Sequence, residues 1–118
     1  MLGMREKRDF LGEFEELVLL AINRLGENAY GVTIREAIED RAERPTSYGA
    51  IYATLDRLEK KGYVRSSLGE ATAERGGRAK KYYSLAAAGV KAINDTRRAR
   101  INLSSGFELG HDPIAETA

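Results

Sequence analysis

Residues 46–85 decide the fold of this chain, and they read TSYGAIYATLDRLEKKGYVRSSLGEATAERGGRAKKYYSL. The first part has the spacing of a helix that ends at Gly62, because glycine commonly follows the last turn of a helix. Two segments rich in β-forming residues come next, and they bracket a loop that is glycine-rich and basic at its far end. This order predicts a helix-turn-helix followed by a wing.

The helix of this stretch, the third in the chain, has one apolar face and one exposed face. Ile51, Leu55 and Leu58 recur at helical spacing, which places them on one stripe toward the core. Thr46 or Ser47 caps the first turn, since a hydroxyl can accept a hydrogen bond from a free backbone N–H group. The residues that point away from the core are Gly49, Tyr52, Ala53, Asp56 and Lys60.

Two amphipathic helices precede this stretch. The first is predicted from Phe10 to about residue 25, with Gly26 at its C-cap. Its apolar positions are Phe14, Leu17, Val18, Ala21, Ile22 and Leu25. The second is predicted from about Val32 to Arg44, because Pro45 disfavours helical backbone in the residue before it. It would bury Ile34, Ala37, Ile38 and Ala42.

A hairpin and a fourth helix complete the predicted fold, which is mainly α with a small β-hairpin (α+β). Segments 63–68 and 80–85 predict the two strands, and residues 27–30 predict a connector or a minimal strand. The last helix is predicted from about Ala86 to Leu103. Its stripe consists of Val90, Ile93, Arg97 and Ile101. We therefore expect a DNA-binding winged helix at 9–85, a dimerisation helix at 86–103 and a flexible tail at 104–118.

Positive charge is concentrated in one segment. Residues 57–81 hold eight Lys/Arg and three Asp/Glu, a net charge of +5, whereas the rest of the 118 residues carries 11 Lys/Arg and 15 Asp/Glu, a net charge of −4. This segregation indicates contact with a polyanion, although a solvated, lysine-rich hairpin explains it equally well.

The composition argues against enzymes, metal proteins and membrane proteins. There is no cysteine, and the one histidine, His111, lies in the tail without a positioned nucleophile nearby, so neither catalysis, a metal site nor a cofactor is predicted. The longest apolar run, residues 17–22, is far too short to span a bilayer. A cytoplasmic protein is expected.

The chemistry that the residues do support is DNA binding. A helix fits the major groove, where base edges can be read, and basic residues on a hairpin can contact phosphates. The predicted contacts are Thr46, Ser47, Gly49, Tyr52, Asp56, Arg57 and Lys60 on the helix, with Arg78, Lys80 and Lys81 on the wing. For Tyr52, the alternative to a DNA contact is packing against the wing. Asp56 either accepts a hydrogen bond from the amino group of cytosine or weakens DNA binding by repulsion.

Several motifs resemble the PadR-like transcriptional regulators, and together they cover residues 11–93. They are Tyr30-Gly31, then Gly49-Ala50-Ile51-Tyr52, then LDRLEKKGYV at 55–64, the wing sequence GRAKKYYSL at 77–85, and Ala88-Gly89. Ala53 and Ala86 depart from the family pattern of proline and threonine at these positions. The absence of the threonine cap costs about 1 kcal/mol.

The resemblance implies a homodimeric repressor of a palindromic operator. The last helix, together with the first, would form the dimer contact, and a small aromatic effector would bind near that interface. The residues that this interpretation assigns to the effector are Phe10, Phe14, Val18, Ile93 and Arg97.

The rival interpretations are a protein-interaction module, which the basic wing disfavours, and an enzyme with an unrecognised carboxylate site.

Overall fold

The computed structural model describes residues 10–69 and 79–107. Its elements are α1 (Glu13–Leu25), α2 (Gly31–Arg41), α3 (Tyr48–Lys60), β1 (Val64–Leu68), β2 (Lys81–Leu85) and α4 (Ala87–Leu103). A single 3-10 turn, Gly26–Asn28, joins α1 to α2. The mainly helical architecture with one hairpin is the one that the sequence predicts.

The core lies where the three N-terminal helices and the hairpin meet. The predicted stripe of α3, Ile51, Leu55 and Leu58, is fully buried. It packs with Leu19 and Ile22 of α1 in one continuous apolar cluster. Burial of a large aliphatic side chain stabilises the fold by about 1.5–3 kcal/mol, so this stripe anchors α3 and leaves its other face in solvent.

The second helix ends earlier than the sequence predicts. It closes at Arg41, and Ala42 is exposed rather than buried. Glu43 has a φ of +52°, which is incompatible with continuing a right-handed helix. The released segment lets Arg44 form a salt bridge with Glu13 of α1.

The two strands form an antiparallel pair in which Val64 lies opposite Leu85 and Leu68 opposite Lys81. Gly62, with a φ of +80°, makes the turn from α3 into β1, which is why glycine is required there. Tyr30 forms an isolated bridge with Tyr82. The predicted minimal strand before α2 is therefore one residue long.

The fourth helix approaches the end of α3 closely. A Cβ atom at Gly89 would lie 2.2 Å from the carbonyl oxygen of Tyr63, so only glycine fits at this contact. Farther along, Thr96 accepts a hydrogen bond from the backbone N–H of Leu11 at 3.0 Å. Arg100 pairs with Glu16 of α1 at 3.1 Å. These contacts hold α4 against the rest of the chain.

The predicted stripe of α4 divides into an inner and an outer part. Ile93 is only 8% exposed and belongs to the core of its own subunit. Val90 and Ile101 are 45% and 61% exposed, and Arg97 also lies in solvent. Of the four residues in the predicted stripe, Ile93 is thus packed within its own subunit, whereas the other three remain exposed.

Within residues 10–69 and 79–107, no helix has both the length and the apolar character that a membrane crossing requires.

Candidate nucleic-acid interface

The outward face of α3 begins at a well-formed cap. The Ser47 hydroxyl accepts a hydrogen bond from the backbone N–H of Ala50 at 3.1 Å, so Ser47 rather than Thr46 is the N-cap. Gly49, in the first turn, and Tyr52, in the second, are exposed. The face continues with Asp56 and Lys60, whose side chains form an i,i+4 salt bridge of 3.1 Å. The ion pair leaves this face close to neutral before any partner arrives.

Thr46 contributes to this region through its backbone. Its N–H donates to a carboxylate oxygen of Glu39 at 3.3 Å, and its carbonyl accepts from Nε of Arg35 at 2.9 Å. Arg35 and Glu39 also pair with each other at 3.3 Å. These contacts tie the corner between α2 and α3 to one face of α2, and so they set the angle at which α3 leaves the corner.

Three side chains form a stack across the start of α3. The guanidinium carbon of Arg35 lies 4.5 Å from the centroid of the Tyr48 ring. The Tyr48 ring in turn stacks on that of Tyr52, with centroids 6.3 Å apart and an interplanar angle of 24°. We call Arg35, Tyr48 and Tyr52 the tyrosine stack. Cation–π and ring-stacking contacts are each worth about 0.5–1.5 kcal/mol, so the stack is preorganised.

Tyr52 reaches its position because residue 31 has no side chain. A Cβ atom at Gly31 would lie 2.2 Å from the Tyr52 hydroxyl oxygen and 2.6 Å from the ring carbon that bears it. Tyr52 is nevertheless 50% exposed. The hydroxyl end of the ring therefore lies against Gly31 at the N-terminus of α2, while half of the residue remains exposed. This contact connects two of the sequence motifs, Tyr30-Gly31 and Gly49-Ala50-Ile51-Tyr52.

The two described wing lysines occupy different surroundings. Lys81 pairs with Glu59 of α3 at 3.4 Å, and Glu59 also accepts a hydrogen bond from the Ser66 hydroxyl at 2.6 Å. The hydrogen bond from Ser66, together with Lys81, lowers the pKa of Glu59. Lys80 instead lies 4.4 Å from the centroid of the Tyr30 ring. Adjacent residues of an extended segment point to opposite faces, which separates the two charges.

Arg57 lies apart from the outward face of α3. Its Nε lies 3.8 Å from a carboxylate oxygen of Glu15, and its guanidinium donates to the Thr54 hydroxyl at 3.2 Å. Burial opposes ionisation of Glu15, but the hydrogen bond from Lys61 at 3.0 Å and the two nearby cations outweigh it, so the pKa of Glu15 is lowered. The sequence grouped Arg57 with Tyr52 and Asp56, whereas the structure directs it toward α1.

The other predicted positions are buried, partly buried, exposed or outside the described residues. Val18 is fully buried in the core, and Phe14 is partly buried beneath the guanidinium of Arg44, 5.1 Å from the ring centroid. Phe10 and Arg97 are exposed. The sequence predictions for Arg78, His111 and most of the tail fall outside the described residues.

Sequence reasoning missed Arg35, Tyr48 and Tyr30. Tyr48 precedes Tyr52 by four residues, so helical spacing alone could have placed both rings on one side of α3. Arg35 gave no such signal, because its link to Tyr48 depends on the angle between α2 and α3. Tyr30 appeared only as part of a motif, and its contact with Lys80 depends on the bridge to β2.

The fold and this face define a winged helix-turn-helix protein of the kind found in transcription regulators. Residues 18–95 match the family model described as the transcriptional regulator PadR-like family. The chain therefore belongs to the PadR-like family, whose members are DNA-binding regulators and not enzymes. No curated protein sequence matches the chain significantly.

Solved structures of regulators share the fold. A transcriptional regulator from Streptococcus is 27% identical, with a TM-score of 0.64 over 79% of this chain and 86% of that one. A PadR family regulator from Eggerthella lenta is 25% identical, with a TM-score of 0.63 over 80% and 81% of the two chains. A third, from Clostridium difficile, is 22% identical, with a TM-score of 0.65 over 81% and 98%.

Proposed function

We propose that this PadR-like regulator is a sequence-specific repressor that binds a palindromic operator as a homodimer. The observation that carries the proposal is the outward face of α3, where the tyrosine stack, Asp56 and Lys60 are held in one geometry beside a basic wing. A preorganised polar and aromatic surface loses little conformational freedom on binding, which favours a specific partner.

On DNA, α3 would lie in the major groove. Its first turns would present Tyr48, Tyr52 and the Ser47 cap to base edges, whose donor and acceptor pattern differs for every base pair. Asp56 and Lys60 would exchange their mutual salt bridge for contacts with the duplex. Thr46 and Gly49, at the start of the helix, would allow the backbone to approach closely.

The wing would contact the phosphate backbone next to that groove. Lys80 and Lys81 point to opposite faces of the extended segment, so they would reach phosphates on either side of the wing rather than one site together. Arg78 is proposed as a third phosphate contact on sequence grounds alone. Arg57, which lies toward Glu15, would at most contact a phosphate at the edge of the interface.

Dimerisation is proposed through the outer side of α4, with help from α1. Val90, Arg97 and Ile101 share one side of α4 because their spacings of seven and four residues return to the same face. Ile93 supports this helix from within its own subunit and lies at the edge of the contact. A two-fold axis would then place the two copies of α3 in successive major grooves, about 34 Å apart.

Control by a small aromatic effector is proposed near the same interface. Phe10 and Arg97 are the exposed members of the predicted set, and the partly buried Phe14 would form the floor. Val18 and Ile93 are core residues of the subunit, so they would support such a site without touching the ligand. A ligand could release DNA only by favouring a subunit arrangement that does not match two half-sites.

The experiment that tests this function is selection of duplexes from a random library by the full chain, followed by titration of the selected site. We expect enrichment of a palindrome and a two-to-one ratio of subunits to duplex. Tyr52→Phe and Asp56→Asn should change the base preference, whereas Arg98→Gln, at an exposed position of α4 beside the stripe of Val90, Arg97 and Ile101, should not. A reporter gene placed behind the selected site should be repressed. Failure to enrich any sequence, with equal binding to all duplexes, would refute sequence-specific regulation.

A further inference from the structure

A cleft of about 350 Å³ lies between α1 and α2, and no residue of α3 or of the described wing lines it. Its volume is within the range of small-molecule sites, which is about 300–1,000 Å³. The cleft is also separate from the proposed effector residues Phe10, Phe14 and Arg97, none of which lines it. It therefore needs its own explanation.

The floor of the cleft is aliphatic. Leu17 and Leu20 of α1 face Ala37 and Ile38 of α2 across it, and among the described residues no aromatic side chain lines it. The small side chain of Ala37 leaves the space between the helices open. A flexible aliphatic chain suits such a lining better than a planar ring, because no aromatic surface is present on which a ring could stack.

The charges around the cleft have one sign. Arg24 and Arg41 line it, and none of the described residues that line it is acidic. Within residues 10–69 and 79–107 neither guanidinium forms a salt bridge, whereas Arg35, Arg44, Arg57 and Arg100 each pair with a carboxylate. Two cations without a carboxylate partner next to an apolar floor complement an amphipathic anion.

The positions of the two arginines have a second consequence. Both lie in the last turns of their helices, where a cation interacts favourably with the free carbonyl groups. This interaction with the helix end explains why each helix has a basic residue in its last turn. It does not explain why both arginines border the same apolar cleft. The planar guanidinium group binds carboxylates in a bidentate geometry, so the pair supplies a fitting head-group site.

We propose that the cleft between α1 and α2 binds a small aliphatic carboxylic acid. The carboxylate is held by Arg24 and Arg41, and the chain lies on Leu17, Leu20 and Ala37. The proposal goes beyond DNA binding and does not depend on it.

Titration of octanoate into the full chain by calorimetry tests the proposal. One octanoate should bind per subunit, and amide and methyl NMR shifts should concentrate on residues 17–24 and 37–42. Arg41→Gln should weaken binding about tenfold, the effect typical of removing a hydrogen bond to a charged group. Ala37→Leu fills the floor and should abolish binding. The matched control is Arg98→Gln, which removes the same charge from an exposed position on α4 and should leave the affinity unchanged.

Octanol and benzoate separate the two parts of the site. Octanol lacks the charge and benzoate lacks the chain, so both should bind more weakly than octanoate. The proposal is overturned if millimolar octanoate gives neither heat nor shifts, if octanol binds as tightly, or if folded Ala37→Leu binds octanoate normally. DNA binding by the unmodified chain is measured separately, so a failure here is distinct from a failure of the regulator function.

Discussion

The helices α3 and α4 both expose apolar side chains, but they hold them in different ways. On α3, Tyr48 and Tyr52 are stacked, and the guanidinium of Arg35 lies over the Tyr48 ring. On α4, Val90 and Ile101 are exposed aliphatic side chains. Aliphatic surface can gain free energy only by leaving water, whereas tyrosine can also bind a wet, polar partner.

We propose that this difference matches the two helices to two kinds of partner. The surface of α3 suits DNA, whose grooves are polar and hydrated, and its geometry is set before binding. The surface of α4 suits a second copy of the chain, because a two-fold interface brings the same aliphatic residues together. The following predictions test this division, beginning with the largest expected effect.

Disrupting the outer side of α4 should have the largest effect on function. The double change Val90→Asp and Ile101→Asp places charges where two subunits are proposed to meet, so we expect a folded monomer. Without the second half-site, operator affinity should fall about 10²–10⁴-fold, the usual range for avidity. Light scattering and DNA titration measure the two effects, and Arg98→Gln is the control. An intact dimer in the double variant would place the interface elsewhere.

Replacing glycine with alanine should destabilise the protein on the inner side of α4 but not on the outer side of α3. Gly89→Ala would force a Cβ atom to within 2.2 Å of the Tyr63 carbonyl oxygen, and overpacking of this kind costs about 1–3 kcal/mol. Gly49 has no atom closer than 3.9 Å, so Gly49→Ala should leave stability unchanged or raise it by about 0.5–1 kcal/mol. Urea unfolding of both variants measures the difference. Equal stabilities would show that α4 adjusts its position freely.

Gly31→Ala should change which DNA sequences are preferred without unfolding the protein. The new methyl group would displace the Tyr52 ring from its place along α2. Because hydrogen bonds between one side chain and a base edge are worth about 1–3 kcal/mol of discrimination, this displacement should alter the preferred sequence. Library selection with the variant measures the preference. In a Tyr52→Ala background the same Gly31 change should have no further effect on DNA affinity. A full effect in that background would mean that Gly31 acts without Tyr52.

The wing lysines should act on all DNA sequences alike. Replacing either Lys80 or Lys81 with Gln should reduce the slope of log K against log salt by about one unit, because the variant neutralises one phosphate fewer. Lys81→Gln should also weaken the attachment of the wing to α3, since Lys81 pairs with Glu59, whereas Lys80→Gln should not. Weaker binding at the selected site alone would show that these lysines read bases.

The smallest predicted effect concerns acid stability. The hydrogen bond from Ser66 lowers the pKa of Glu59 below its ordinary value of 4.5. The contribution of the ionised Glu59 carboxylate to the free energy of unfolding is therefore complete above pH 4.5 and disappears as the pH falls through the lowered pKa. Glu59→Gln should be slightly less stable than the unmodified chain at neutral pH, and the difference should shrink in acid. Denaturation at a series of pH values measures it, and a constant difference would contradict this account.

Much of the fold could be predicted because its signals are local. The stripe Ile51, Leu55 and Leu58, the glycine at position 62 and the alternation of the two strands each depend on a few neighbouring residues. The end of α2 was placed too late, because helical periodicity extends to Ala42 while the backbone turns at Glu43. The proline at position 45 indicated the break but not its position.

The candidate site could be predicted only in part. Ser47, Tyr52, Asp56 and Lys60 face away from the core as the helical spacing requires. The spacing did not reveal that Arg57 turns toward Glu15, because that contact joins residues from two helices. Nor did it distinguish Ile93 from Val90, since the direction from which α1 and the hairpin approach α4 decides which side of the helix is buried.

The sequence by itself determined the order of the elements, the buried stripe of α3 and the family, since hydrophobic spacing, turn residues and short motifs are encoded locally. Only the tertiary structure decided that Tyr52 lies in the space left by Gly31, that Lys80 and Lys81 have different partners, and that Arg24 and Arg41 border one cleft. Each of these is a distance between residues far apart in the chain. Such distances depend on how the helices pack, and packing angles are properties of the whole core rather than of any one segment.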